Sequence, residues 1–276
     1  MNAADLVAVE GPLRLSAFAF AGLALWGLQR RFALRGDGRV DRRLLSNVGL
    51  VVIGSLLLRL AFPLLAVALA VSIEAAGGGL FGGLQWPLWI EGVLALLLLD
   101  LAIYWQHRAF HRLPWLWRLH RVHHSDIAFD VSTGVRFHPL EIAASMLFKL
   151  ALVWLLGPAA WAVVVFELLL SLGSLFTHSD FAFPPLLDRR LRWLLVTPSM
   201  HRIHHSTLRV ETDSNYGFHL SLWDRLFASY RVAPMRPEVD MPIGLEEFRD
   251  RGGQGLWALL RQPLRATRSE GRDRQG

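Results

Sequence analysis

The sequence predicts an all-α integral membrane bundle of about four to five membrane-embedded helices, carrying a cytoplasmic cap of short histidine-rich helices. Three observations lead there. The 276-residue chain is 53% apolar and only 19% charged, with a positive mean hydropathy of +0.34. Its apolar residues gather into five long runs. All eleven histidines fall between His107 and His219. Plentiful Leu, Val and Phe without a glycine period exclude disordered and collagen-like classes. The absence of cysteine excludes disulfide frameworks, thiolate catalysis, iron–sulfur clusters and Cys-ligated zinc.

The runs follow in order. The first spans 12–28 and stops at Gln29, Arg30 and Arg31. It lacks a basic start and a small-residue cleavage site, so it is not expected to be a cleaved signal. The second covers 48–73, interrupted by Arg59 and Pro63, and the third covers 87–105, carrying Glu91 and Asp100. The fourth and fifth, 140–156 and 159–176, are separated by Gly157-Pro158, which predicts a helical hairpin. Each run is close to the roughly 17–25 residues that cross a bilayer.

Charge sets the expected orientation. Arg30, Arg31, Arg35, Arg39, Arg42 and Arg43 follow the first run, and Arg108, Arg112, Arg118 and Arg121 follow the third. Arg189, Arg190 and Arg192 follow the hairpin, whereas 74–85 holds no Lys or Arg. The positive-inside rule places the arginine segments in the cytoplasm and the N-terminus outside. On a chain this apolar, the basic surplus of six fits a membrane protein better than a nucleic-acid binder. Gly77-Gly78-Gly79 lacks the strand and helix that would make it a phosphate loop. Three units are expected: N-terminal transmembrane helices over 1–98, a histidine-bearing domain over 99–230 including the membrane hairpin 140–176, and a cytoplasmic tail over 231–276. In the tail, Pro234, Pro237 and Pro242 predict an extended wrap. Leu256, Trp257, Leu259 and Leu260 predict a short interfacial helix, and disorder is expected after Ala266.

The histidines form three clusters: His107-x3-His111, His120-x2-His123-His124 and His201-x2-His204-His205. The last two are near copies, HRVHHS and HRIHHS. On a helix, residues three and four apart share a face, so several rings converge. Eight gathered imidazoles repel one another if protonated, and a metal holds them neutral. His138 and His178 bring the candidates to ten, too many for one four-coordinate ion and suited to two. Imidazole serves Zn, Cu, Fe and Ni, so the ligand type alone does not choose. Asp100 shares a helical face with Tyr104, His107 and His111, and is the candidate acceptor for the outward N–H of a ligating ring. A buried hydrogen bond to a neighbouring helix is the other reading of Asp100. Glu167, Ser171, Ser174 and His178 repeat the same phase, while Glu91 and His219 receive no role. Trp105, Trp115, Trp117 and Trp193 flank the clusters as interface anchors or channel lining.

These clusters, with Arg136-Phe137-His138-Pro139, Asn215-Tyr216-Gly217 and Trp223-Asp224-Arg225-Leu226-Phe227, resemble the fatty acid hydroxylase/sterol desaturase superfamily over about Leu99 to Tyr230. The resemblance implies an integral membrane, non-haem di-iron enzyme that uses O2 to hydroxylate or desaturate a lipid: a sterol, fatty acyl chain, carotenoid or related lipid. It implies two iron ions held by His107, His111, His120, His123, His124, His201, His204 and His205, with His138 and His178 also at family positions. All-imidazole sites accept zinc as well. No fused cytochrome b5 domain is evident, so a separate ferredoxin- or cytochrome b5-like electron donor is implied. The arginine-rich face suits such an acidic donor, or anionic lipid head groups. The competing reading is a histidine-rich membrane protein that binds or transports metal, which calls for His or Asp along a path through several spans.

Overall fold

The structure, a computed structural model, describes residues 3–38, 41–62, 65–84, 86–250 and 252–266. The long helices are α1 (Ala3–Phe32) and α2 (Arg42–Ala61), then, after the shorter α3 (Ala66–Ala75) and α4 (Gly79–Gly82), α5 (Leu88–Arg112). Next come α6 (Pro114–His124), a 3-10 turn at Val131–Val135, and the pair α7 (Pro139–Leu156) and α8 (Ala160–Thr177). Short helices α9 (Pro185–Leu191), α10 (Pro198–His204), α11 (Arg209–Thr212), α12 (Leu222–Leu226) and α13 (Leu256–Arg261) follow. Among the described residues the only β pairing is two isolated bridges, Leu195 with Leu220 and Ser206 with Ile243. Five segments of the described residues are long and apolar enough to cross a membrane: α1, the α2–α4 stretch, α5, α7 and α8. Pro12 lies inside α1 rather than at its start, and Pro63 lies outside the described residues.

α8 is the central post, packed against α1, α3 and α5. The hairpin before it turns at Gly157, whose φ of 60° is the left-handed conformation glycine adopts without strain. A Cβ there would stand 2.3 Å from the Gly78 carbonyl oxygen, so the turn sits directly on the 77–79 bend. At this end Glu91, which had no expected role, accepts the Ala159 N–H at 2.9 Å, and Glu74 accepts that of Ala160 at 3.0 Å. Both carboxylates satisfy orphan donors at the positive end of α8. Deeper in the bundle, Glu167 of α8 pairs with Lys149 of α7 and with Arg14 of α1. Intramembrane charges of this kind require partners, and these three tie α1 to the hairpin.

The histidines lie at the opposite end. A rise of 1.5 Å per residue puts His107 about 28 Å along α5, and His178, just past α8, about 27 Å along that helix. Glu91, near the start of α5, reaches the start of α8, so the two helices run in the same direction and both rings reach the same level. Here Gln29 of α1 accepts the N–H groups of Val131 and Asp180. Arg43 and Asn47 of α2 enter a buried network with Asp126, Asp130, Ser132 and Arg136. The tail closes over this end: Leu259 of α13 is buried against Leu50 and Val122, while Trp257 faces outward, 74% exposed. The expected interfacial helix thus also packs one face into the core. The disorder expected after Ala266 lies outside the described residues.

Candidate metal centre

Nine imidazoles converge in two groups. His107, His111, His120, His124 and His204 form the first, and His123, His178, His201 and His205 the second. Within each group the candidate ligand atoms lie within 4.8 Å of one another, and all nine residues are buried. The helical repeat explains the division. Positions i and i+4 differ by about 40° and i and i+3 by about 60° in the other sense. His120 and His124 therefore face the first group while His123 turns to the second. In the other box, His201 and His205 face the second group and His204 reaches the first. Sequence spacing suggested that each box aims at one point; the structure divides each box two to one, in opposite senses.

The donor chemistry fits two cations. In the second group, the His178 Nε2 atom lies 3.0 Å from that of His201 and 3.1 Å from those of His123 and His205. Neutral rings cannot all donate to one another at such a point. A tetrahedral ion with bonds of about 2.1 Å separates its donors by about 3.4 Å, close to what these rings adopt. In the first group, Nε2 of His107, His111, His120, His124 and His204 is buried without a hydrogen-bond partner. The opposite nitrogens of several rings are held by acceptors. His107 Nδ1 donates to the Tyr216 carbonyl at 2.8 Å, His204 Nδ1 to Ser214 at 2.7 Å, and His178 Nδ1 to Ser174 at 2.7 Å. His120 Nδ1 lies 2.6 Å from Glu141 Oε1. Each such bond fixes the tautomer that leaves Nε2 as a lone pair aimed into the group.

Two expected site residues stand elsewhere. His138 joins neither group. It caps α7, its Nδ1 accepting the Leu140 N–H and its Nε2 lying 3.2 Å from the Leu260 carbonyl, so both ring nitrogens have protein partners. Asp100 touches no ring of either group. It accepts from His219 Nδ1 at 2.6 Å and from the Trp223 indole at 2.8 Å, pinning the 216–223 loop to α5. Asp213 stands 3.5 Å from His111 Nδ1, and the carboxylate within hydrogen-bond distance of a clustered ring is Glu141, which sequence reasoning missed. Its position, one turn after His138 at the start of an apolar helix, was the available signal. We expect Glu141→Gln to lower metal affinity about 10–100-fold, read by competition with a chelator; unchanged affinity would contradict this role.

Electrostatics favour neutral rings. Burial lowers the pKa values of His123, His124, His201 and His205 well below the usual imidazole range, and neighbouring histidines lower them further. Burial brings His204 to about 3 and His178 to about 4, even though the carbonyls of Ser214 and Ser174 oppose the shift. In the unfolded chain a histidine takes its proton near about 6.5. Between those values the unfolded state binds more protons, so stability rises with pH. Metal-depleted protein should keep its full stability above about pH 6.5 and lose it as pH falls toward 4. Thermal melts of chelator-treated protein at pH 7.5 and 5.5 test this, and equal midpoints would refute it.

The polar network beneath the first HxxHH box fixes its backbone. Arg136, fully buried, donates to the Val122 carbonyl, Asn47, Ser125 and Gln254. Arg43 pairs with Asp126 at 2.9 Å and with Asp130. Burial opposes ionisation of Asp126, but Arg43 and Arg136 outweigh it and hold that carboxyl below the usual range. The tail residues Gln254 and Gln262 reach this network and Ser125.

A helical bundle with membrane-length segments and two buried imidazole nests that could hold metal at one end defines a class of histidine-box protein. Within it, the chain belongs to the fatty acid hydroxylase family, whose model matches residues 92–229. It is 31% identical over 187 residues to ornithine lipid hydroxylase OlsE of Rhizobium tropici, covering 65% of this chain and 52% of that protein. It is 34% identical over 161 residues to alkylglycerol monooxygenase of Danio rerio, covering 57% of this chain and 32% of that protein. Very-long-chain aldehyde decarbonylase GL1-5 of Oryza sativa subsp. indica is 30% identical over 166 residues, 53% of this chain and 25% of that protein. The match thus spans about half the length of the first relative and less of the others. No solved structure matches the chain.

Proposed function

We propose that this protein is an integral membrane oxygenase that hydroxylates a lipid with O2, using two iron ions held by the nine converging histidines and electrons from a separate donor. The observation that carries the proposal is the pair of buried nests with unpartnered ring nitrogens at one end of a membrane-length bundle. The activities named for two relatives, an ornithine lipid hydroxylase and an alkylglycerol monooxygenase, support the lipid substrate and oxygen insertion. Arginine placement supports a cytoplasmic position for the site.

When bound, the ions supply what no side-chain acid or base can, the activation of O2 for attack on an unactivated C–H bond. The chain supplies the rest. Carbonyls of Tyr216, Ser214 and Ser174, with Glu141, hold the rings in the ligating tautomer. Phe129 and Phe137 stack on His178 and His123, walling the second nest with apolar rings and excluding water. The apolar helices offer a lipid sideways entry, with its reacting carbon brought to the histidine end. The test is lipid mass spectrometry of a host with and without the gene product, beside metal analysis of purified protein. The expected result is a lipid heavier by one oxygen and about two irons per chain. A lipidome without that shift, from a protein that holds its iron, would refute the proposal.

A further inference from the structure

Hydroxylation balances only with outside electrons: R–H + O2 + 2 e⁻ + 2 H⁺ gives R–OH + H2O. The structure contains a surface fitted to receive them. Trp117 is half-buried, with its ring centroid 5.1 Å from His111 and 5.5 Å from His124. It is a partly exposed aromatic group in direct contact with candidate metal-ligating rings. Arg209 lies over the indole at 5.5 Å, oriented by an ion pair to Asp213 at 2.6 Å. Around them Arg112, Leu113, Trp115, Arg209 and Val210 are exposed.

This patch has an apolar centre and a cationic edge, at the far end of α5. That helix has 25 residues, about 37 Å, whereas about 20 residues cross the hydrocarbon core. His107 is at the twentieth position, so Arg112 and the residues after it extend past the membrane-length portion. The patch is therefore displayed to water rather than to acyl chains.

We propose that Trp117 and its cationic rim are the docking face for an acidic, water-soluble one-electron carrier protein, with the indole as the last group that electrons cross before the ligands. The proposal rests on the oxygenase reading, which requires two electrons per turnover. Two carriers dock in turn, each oxidised by one electron, and the indole serves as a conduit without itself changing oxidation state. Opposite charge speeds the encounter, and redox interfaces are small, so a compact patch is sufficient.

The test uses the full chain in nanodiscs of neutral lipid. Loaded with redox-silent zinc, it should bind an acidic ferredoxin or the acidic soluble domain of cytochrome b5, in a salt-sensitive manner, and bind the basic cytochrome c poorly. Val210→Glu and Arg209→Glu should weaken binding of the acidic carriers about tenfold or more. Loaded with iron, the Trp117→Leu variant should be reduced by saturating carrier about tenfold more slowly, at an unchanged rate by dithionite, with recovery in Trp117→Phe. Acidic carriers that bind no better than cytochrome c, or bind both charge variants like the parent, overturn the proposal. So does a Trp117→Leu variant slowed equally with both reductants, which marks a packing role. Charge variants that lose affinity only for nanodiscs containing anionic lipid make the patch a lipid contact, which also overturns it. Binding to the zinc form does not depend on oxygenation, so its failure removes the docking face alone. Iron-loaded protein that accepts electrons yet oxidises no lipid removes the oxygenase reading alone.

Discussion

His178→Ala is expected to empty one metal site and stop turnover, whereas His138→Ala keeps both metals. His178 contributes an Nε2 atom within 3.1 Å of those of the other three rings in its nest, and its loss leaves three rings where four converged. Metal analysis should fall from about two ions per chain to about one. Product should fall more than the roughly 100-fold seen when only a supporting partner of a ligand is removed. His138 sits on the cap of α7, so its removal should cost about 1 kcal/mol of stability and leave metal content unchanged. A His138→Ala protein short of one metal, or a His178→Ala protein that retains both, would contradict the assignment of the nests.

The second large effect is expected from Arg43→Met. Arg43 is buried between Asp126 and Asp130, and the other guanidinium nearby, Arg136, stands 4.0 Å from Asp126. Removing one partner from a buried ionic cluster costs about 3–5 kcal/mol, because a charge is left without compensation. The signature is non-additivity: Arg43→Met with Asp130→Asn should be more stable than Arg43→Met alone. Thermal or chemical unfolding in detergent measures both. A double variant as unstable as the single would mean that Arg43 acts by packing rather than by charge. The loss should extend to metal retention, since the same network clamps the segment that carries His123 and His124.

Much of this molecule is legible in its sequence, and the limits have physical causes. The five apolar runs correspond to five membrane-length segments because length and hydropathy decide that question locally. The nine clustered rings are legible because 3.6 residues per turn places them on shared faces. The crossed division between nests follows from the same angles, but only once two boxes are seen to face each other. The places of His138 and Asp100 were not legible because periodicity gives direction on a helix and says nothing of what packs opposite. The Leu260 carbonyl and the 216–223 loop reach them from far along the chain. The acceptors that set the ring tautomers are mostly backbone carbonyls, and any residue type supplies one. The tail is similar: its prolines announce an extended path, yet its contacts with Ser125 and Arg136 depend on tertiary placement.

The opposite two-to-one division of the HxxHH boxes bears on how such a protein is assembled in a cell. Since α6 and α10 each lend rings to both nests, an ion arriving in one already restrains both helices that the other needs. Filling of the intact protein should be cooperative, the first ion strengthening the hold on the second, so singly filled molecules are scarce in a titration. Metal supply then governs how many molecules are finished rather than how finished each one is.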